Sequence, residues 1–343
     1  MAGAVPPGWQ TLVGSRVVLR LRTEAGGFRD VLGDLLAADD GRLRVRTRRG
    51  EVEVAAADVV AGKPVPPPPT RAAPPHLALS TLGLQAVLAR HWVAPDTERL
   101  GGWLLRAAGG FTNRANSALA LGPPDRPPAE AVAAVVAWYE ARGLPPCAAA
   151  PEPRHDDPDA GVLSDAAAAF AAAGFRPLAG AGADVLVAPT AALRSPGLAP
   201  PDGLRVVLLD APDAAWLARY HYRGQPLAEP GIELLSSAPR QAFAAVRAGE
   251  GPAEETVAVA RWSVASAWAG LTAVEVAPDH RRRGLARLLL AAGAEWAWRE
   301  GAGSTYVQVS ETNVAAKRLY LSGGFEPHHF YSYLKPTPRS CKF

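Results

Sequence analysis

The segment from residue 274 to residue 290, VEVAPDHRRRGLARLLL, carries the pattern that is most directly tied to a chemistry. A β-rich run ends before Pro278, and the sequence Arg281-x-x-Gly284-x-Ala286 leads directly into an amphipathic helix. The first turn of a helix offers unpaired backbone N–H groups and the positive end of the helix dipole, and glycine and alanine have no bulk that would keep an anion away. The pattern predicts a phosphate site, and its alternative is an arginine-rich helix start with a glycine turn.

Two residues further along the chain have a spacing that suits the same ligand. Asn313 and Tyr320 are seven residues apart in the predicted helix NVAAKRLYLSG. That spacing is almost two helical turns, so both side chains share a face and lie about 10 Å apart along the axis. Each residue also has a structural interpretation, because asparagine is a good helix N-cap and tyrosine can belong to a core.

Three segments in combination resemble the GNAT family of acyl-CoA-dependent N-acyltransferases. They are the strand–RRRGLA–helix segment, the strand YVQV and the helix from Thr312 to Phe325. The resemblance extends from residue 204 to the C-terminus. It implies acetyl-CoA as the acyl donor and direct attack by an amine, without an acyl-enzyme. It also implies that the pyrophosphate of the coenzyme lies on the backbone amides of Arg282, Arg283, Gly284, Leu285, Ala286 and Arg287.

The resemblance assigns further roles to residues near this loop. It places the pantetheine arm along the strand edge formed by Val274, Glu275 and Val276, with Asn313 beside the arm. It makes Tyr320 the acid that protonates the departing thiolate, a role that a phenol positioned near the sulfur can fill.

The base that deprotonates the amine does not follow directly from the resemblance. Several family members have a carboxylate where this chain has Gln308, whose amide can bind an ammonium group but cannot accept its proton. Glu275 is the predicted base, because it alternates with two valines and so projects from the opposite face of the strand. A surface-facing glutamate is the structural alternative, and His328, His329 and water are the alternative bases.

The first of two similar segments lacks the phosphate pattern and predicts a substrate site instead. Residues 122–131, GPPDRPPAEA, carry prolines where phosphate-binding N–H groups would be needed. In residues 102–121, polar side chains are predicted to alternate along a strand that otherwise consists of core residues. The predicted substrate-binding residues, suited to a carboxylate or an ammonium group, are Arg106, Arg114, Asn116 and Gln308. A solvated edge strand is the alternative.

The elements around these motifs predict an α/β (α+β) fold. Two segments order their elements as strand, helix, strand, helix and Gly-Phe, which indicates tandem GNAT-type mixed sheets flanked by helices. Short β-rich runs before them predict a small SH3-like β-barrel. The predicted domains are the barrel (10–62), a Pro-rich linker (63–75), a degenerate GNAT-like unit (76–194), a second linker (195–203) and a catalytic GNAT N-acetyltransferase domain (204–343).

Composition limits the classes of function. A length of 343 residues suits two or three domains, and two distant cysteines give no thiolate cluster, so no metal is expected. The chain has no apolar run of about 18 residues and begins without a secretion signal, which predicts a cytoplasmic protein with no membrane partner. The net charge of +3 argues against a nucleic-acid partner, and a homo-oligomer is compatible with the sequence.

The order of barrel and two GNAT units resembles an actinobacterial group that includes N-acetylglutamate synthases. This resemblance implies a small-molecule amine as the partner, an amino acid, with the α-amine of glutamate as the predicted acceptor and a place in arginine biosynthesis. The alternatives are a mycothiol synthase-like transferase, a protein-lysine acetyltransferase, and a non-catalytic acyl-CoA sensor.

Overall fold

The chain folds as two units, Met1–Ala72 and Ala73–Phe343. The computed structural model describes residues 8–23, 26–39, 41–47, 50–65, 73–222 and 224–337. Residues 66–72 of the predicted linker and residues 338–343 of the predicted catalytic domain therefore lie outside the described residues. None of the helices in the described ranges is both long enough and apolar enough to cross a membrane.

The first unit is an antiparallel sheet that follows the predicted β-rich runs. Its strands are β1 (Arg16–Arg22), β2 (Phe28–Asp39), β3 (Arg42–Thr47), β4 (Gly50–Ala55) and β5 (Val59–Pro64), in the order β4-β3-β2-β1-β5. Alternate side chains such as those of Val17 and Leu19 are buried, as a strand with one core face requires. Arginines of β3 form ion pairs with glutamates of β4 on the exposed face, which partly neutralises their charge.

The second unit contains eight helices and fourteen strands among its described residues. The helices are α1 (Thr81–Leu88), α2 (Pro128–Glu140), α3 (Ala160–Ala172), α4 (Thr190–Leu193), α5 (Ala214–Arg219), α6 (Glu229–Leu235), α7 (Leu285–Arg299) and α8 (Val314–Ser322). The strands are β6 (Asp96–Leu100), β7 (Trp103–Ala107), β8 (Ala118–Ala120), β9 (Ala148–Pro151), β10 (Phe175–Pro177), β11 (Ala183–Pro189), β12 (Leu204–Leu209), β13 (His221–Tyr222), β14 (Gln225–Pro226), β15 (Gln241–Ala248), β16 (Glu255–Ala265), β17 (Trp268–Val276), β18 (Ser304–Ser310) and β19 (Glu326–Pro336).

Twelve of these strands form one mixed sheet with the order β12-β15-β16-β17-β18-β11-β19-β9-β8-β7-β6, in which β10 also pairs with β19. Strands of the two predicted GNAT-like segments alternate in its centre. Strand β11 of the first segment lies between β18 and β19 of the second, and β19 lies between β11 and β9. The predicted fold class, mixed sheet flanked by helices after a small β-rich domain, is confirmed. The predicted boundaries between segments remain a prediction.

The parallel pairing of β17 with β18 ends after the pair Leu271–Val307. Beyond it, β18 continues beside β11, while the matching edge of β17 pairs with no described strand. Ala273 has a φ of 52°, and the register between β16 and β17 shifts at the same level, so β17 carries a bulge that bends it away from β18. The two strands diverge and leave a gap in the middle of the sheet.

The strand predicted to carry alternating polar residues is a turn over most of its length. Residues 108–117 connect β7 to β8, and Thr112 has a φ of 59°. The Asn116 side chain holds this turn: its Oδ1 accepts from the N–H groups of Ala108 and Gly110, and its Nδ2 donates to two carbonyls of the same turn. The prediction of alternation was wrong because side-chain hydrogen bonds to the main chain replaced the strand ladder.

Helix α1 is joined to β19 by a buried chain of polar groups. Gln85 contacts His329 Nε2 at 2.9 Å, the two Nδ1 atoms of His328 and His329 are 2.8 Å apart, and His328 Nε2 lies 3.1 Å from the Leu79 carbonyl. The carbonyl can only accept, so His328 donates from Nε2, and His329 then donates from Nδ1 and accepts from Gln85. Burial lowers the pKa of His328 to about 4 and that of His329 to about 3.

These histidines should make stability depend on pH. The unfolded chain takes up their protons near the ordinary histidine pKa of about 6.5, whereas the folded chain resists protonation, so stability is lost as pH falls from about 6.5 toward 4. His329→Asn should reduce the slope with which the free energy of unfolding falls with pH, by up to about 1.4 kcal/mol per pH unit. Urea unfolding of the full chain measures this slope. The exposed His155→Asn serves as the control, and equal slopes for wild type and His329→Asn would contradict the prediction.

Candidate active site

The loop before α7 has the features of an anion site. Gly284 has a φ of 80°, and a Cβ at this position would meet no protein atom within 4 Å. The backbone N–H groups of residues 282–286 donate to no acceptor among the described residues, and Arg281 Nε fixes the loop by donating to the Val276 carbonyl at 3.2 Å. The loop therefore presents adjacent free donors, including those of Leu285 and Ala286, at the positive end of a fifteen-residue helix.

A cavity of about 560 Å³ adjoins this loop. Its wall on one side is formed by Arg283, Gly284 and Arg287, and on the other by the segment 192–201. Two arginines and part of the loop with free backbone donors thus line a space large enough for part of a nucleotide-containing ligand.

A second cavity, of about 590 Å³, occupies the gap between β17 and β18. We call it the acceptor cavity. Six residues predicted from the sequence line it, contributed by both segments of the second unit: Arg114, Val274, Glu275, Gln308, Asn313 and Tyr320. Val276 lies on the same strand, partly buried on the α7 side together with Val274, while Glu275 lies on the face opposite these two valines.

Asn313 and Tyr320 reach the acceptor cavity from the two ends of α8. Asn313 is the N-cap of this helix, and its Oδ1 accepts from the Ala316 N–H at 3.0 Å, so it combines the capping role with a place on the cavity wall. Tyr320 is 5% exposed, and burial raises the pKa of its phenol. Its hydroxyl has no hydrogen-bond partner among the described residues, so a protonated phenol is available on the cavity wall.

Glu275 is held by His221, a residue that the sequence analysis missed. The Glu275 Oε2 atom accepts from the His221 backbone N–H at 2.7 Å, and Oε1 lies 3.3 Å from Nδ1 of the same residue. The Arg219 carbonyl lies 3.2 Å from this Nδ1. Both neighbours of Nδ1 are acceptors, so Nδ1 carries the proton and Nε2 is left with a lone pair. Nε2 has no hydrogen-bond partner among the described residues.

Two buried polar atoms in the acceptor cavity lack partners. Gln308 donates from Nε2 to the Tyr331 hydroxyl at 3.0 Å, but its Oε1 atom is buried and accepts from no group of the described chain. The Nε–H of Arg114 is likewise buried without an acceptor, and its guanidinium lies 5.4 Å from the centre of the Trp92 ring. Buried polar atoms normally have partners, and both of these atoms belong to residues that line the acceptor cavity.

The remaining predicted residues lie outside the acceptor cavity. Arg106 is buried beside a different cavity. The Asn116 side-chain amide forms its hydrogen bonds within its own turn. His329 contacts Gln85 of α1, and His328 contacts the Leu79 carbonyl just before that helix. Besides His221, the sequence analysis missed Tyr220, Tyr222, Tyr331 and Tyr333 on the cavity wall. In the sequence, the run Tyr220–His221–Tyr222 could have pointed to His221, but its residues have no spacing that is typical of a binding or catalytic site.

Comparison with known proteins agrees with this geometry. Residues 83–334 match a family described as "Probable histone acetyltransferase Rv0428c C-terminal". Residues 11–63 match one described as "Rv0428c N-terminal Sm-like domain", so the N-terminal unit is described as Sm-like, where the sequence analysis predicted an SH3-like barrel. The chain is 32% identical over 333 residues to the Mycobacterium tuberculosis protein named "Probable histone acetyltransferase Rv0428c", covering 94% of this chain and 95% of that protein.

Solved structures share the fold of the second unit. A GCN5-related N-acetyltransferase from Kribbella flavida has a TM-score of 0.54 at 19% identity, covering 76% of this chain and 97% of its own. A tandem GNAT protein from the clavulanic acid biosynthesis pathway has a TM-score of 0.51 at 16% identity, covering 74% of this chain and 86% of its own. The chain therefore belongs to the family of the M. tuberculosis protein Rv0428c and is a GNAT-type N-acetyltransferase.

Proposed function

We propose that the protein transfers the acetyl group of acetyl-CoA to the primary amine of a small molecule that carries a carboxylate. One observation supports this acceptor class above others: Arg114, whose Nε–H has no acceptor in the described chain, lines the same cavity as Tyr320 and the His221–Glu275 pair. A forked guanidinium is the side chain best suited to bind a carboxylate, and here it would do so beside the groups that can move protons.

The donor site rests on the loop before α7. The free N–H groups of residues 282–286 and the guanidinium groups of Arg283 and Arg287 would bind the pyrophosphate, and the open space at Gly284 lets it approach the backbone. The unpaired edge of β17 from Thr272 to Val276 offers main-chain groups to the amides of the pantetheine arm. Acetyl-CoA, when bound, supplies an activated thioester.

The proton of the amine would be taken by His221, with Glu275 in support. An amino acid's α-amine is protonated at neutral pH, so a base is needed in the site. Both oxygens of Glu275 are occupied by His221, whereas the Nε2 lone pair of His221 is free. Glu275 would orient the ring and stabilise its charged form, and the backbone N–H of His221 would keep Glu275 in place. This proposal takes His221 as the base in place of Glu275, whose assignment as the base stays a prediction.

Tyr320 would provide the proton for the leaving thiolate. Its raised pKa, caused by burial, keeps the phenol protonated at neutral pH, and its hydroxyl has no competing partner in the described chain. The proton is needed only once charge develops on sulfur, so a group that holds it firmly beforehand is suited to this step.

Glutamate remains the specific acceptor to test first, because the domain order resembles the group that includes N-acetylglutamate synthases. The name of the M. tuberculosis relative favours a second candidate, transfer to a lysine of a protein. The two candidates differ in what Arg114 would do: it would bind the carboxylate of an amino acid, whereas a lysine within a peptide has no carboxylate beside its amine.

Gly284→Asp should weaken acetyl-CoA binding at least tenfold, about 1.4 kcal/mol, because it adds negative charge and bulk where the pyrophosphate would lie. Isothermal titration calorimetry measures the effect. Gly143→Asp is the matched control, since Gly143 also has a left-handed conformation, with a φ of 64°, and open space at its Cβ position. Equal affinities for the two variants would show that the coenzyme binds elsewhere.

His221→Gln should lower kcat/KM by about 10²–10⁴-fold, because the variant has no proton acceptor at this position. Glu275→Gln should lower kcat/KM less, since the imidazole remains. The reverse result, a larger loss of kcat/KM in Glu275→Gln than in His221→Gln, would show that Glu275 is itself the base.

The acceptor class is tested by release of free thiol from acetyl-CoA over a panel of amines. The panel contains glutamate, other amino acids, their α-amides, mycothiol's amine precursor and a lysine-containing histone peptide. Arg114→Gln should raise KM at least tenfold for an amino acid and leave KM for its α-amide nearly unchanged, because only the former has the carboxylate. The exposed Arg126→Gln is the control.

Each outcome of this panel selects one interpretation. Release with glutamate in preference to the other amines supports the N-acetylglutamate synthase-like assignment. Release with the histone peptide alone overturns the small-molecule proposal. Coenzyme binding without thiol release from any amine would instead favour the acyl-CoA sensor.

A further inference from the structure

A third cavity, of about 580 Å³, lies at the C-terminal end of α1. Its walls are mainly apolar, with contributions from Val93, Leu104 and Val264, and Arg106 lies at its floor. The cavity shares no lining residue with the acceptor cavity. The two come close at one point of the chain, where Trp92 lines the acceptor cavity and the next residue, Val93, lines this one. Nothing in the proposed transfer reaction uses it.

Arg106 is a buried cation without a counter-ion. It is 4% exposed, and within the described residues its side chain forms two hydrogen bonds, from Nε to the Ser117 carbonyl at 3.0 Å and from Nη2 to the Ser117 hydroxyl at 2.8 Å. No acidic residue of the described chain forms an ion pair with it, and its Nη1 group donates to no described acceptor. Burial lowers the pKa of the Arg106 guanidinium, because the charged form loses its hydration. Leaving a charge buried without a partner is unfavourable.

We propose that this cavity binds a small apolar carboxylate whose carboxylate group pairs with Arg106. The free N–H groups of the guanidinium can donate to both oxygens of a carboxylate, and the apolar walls match an aliphatic or aromatic body.

A single negative charge fits the cavity better than a phosphate does. Ala89, the residue that caps the C-terminus of α1, borders the cavity, and carbonyl groups at a helix C-terminus disfavour additional negative charge. Of the two other arginines that line the cavity, Arg240 forms an ion pair with Glu300, and Arg90 donates to the hydroxyl of Ser266, which lines the cavity too. Arg106 is the buried one of the three, so the proposal commits to a ligand with a single carboxylate.

The proposal is tested with phenylacetate and its uncharged analogue phenylacetamide, titrated calorimetrically into the full chain. We expect phenylacetate to bind at least tenfold more tightly than phenylacetamide, because only the acid can pair with the guanidinium. Arg106→Met should weaken phenylacetate binding at least tenfold. The exposed Arg126→Met, at an arginine that lines neither cavity, should leave it unchanged.

A second variant keeps the test valid if Arg106→Met fails to fold. Val93 is 38% exposed at the cavity mouth, so Val93→Trp should fold, fill the cavity and abolish binding while Arg106 stays in place. The proposal is overturned if phenylacetate does not bind the wild type at millimolar concentration, if Val93→Trp binds it as the wild type does, or if Arg114→Met, which removes the arginine of the acceptor cavity, alone loses binding. The last result would place the ligand in the acceptor cavity.

Discussion

The point at which β17 and β18 stop pairing is the constraint on which the site depends. Strands of one sheet normally fill the space between them with hydrogen bonds, and here the ladder ends at Leu271 and Val307 because the bulge at Ala273 bends β17 away. The divergence exposes a strand edge and leaves space for the acceptor cavity, which residues of both strands line. A straight β17 that paired with β18 along its whole length would remove both features.

The interleaving of strands β11 and β19 ties both segments of the second unit into this site. Strand β11 completes the sheet beside β18, and β19 pairs with strands of both segments, so neither segment has a complete sheet of its own. The first segment, which lacks a phosphate loop, then contributes Arg114 and the turn around it to the wall opposite β17. Its role in the proposed reaction is to shape the acceptor side of the cavity.

Three arginines in the second unit show how a buried charge can be accommodated. Arg261 is fully buried and donates to the Leu235 and His91 carbonyls and to the Thr272 and Gln241 side chains, and burial lowers its pKa to about 10. The hydrogen bonds of the Arg261 guanidinium are thus accepted by groups of the chain itself. Arg106 and Arg114 keep donors without acceptors, and each of them lines a cavity. This contrast is the basis on which we propose that Arg106 and Arg114 bind anionic ligands, whereas Arg261 has a structural role.

The sequence by itself determined the glycine loop before α7 and the helix that carries Tyr320, because both depend on local spacing: a glycine before a helix, and two residues seven apart on one helix face. It also predicted the strands of the N-terminal sheet from alternation. Only the tertiary structure decided that the two segments share a sheet, that Asn116 holds a turn instead of a ligand, and that His221 meets Glu275 across 54 residues. Such contacts depend on strand order and on how a bulge redirects a strand, and no local pattern encodes either.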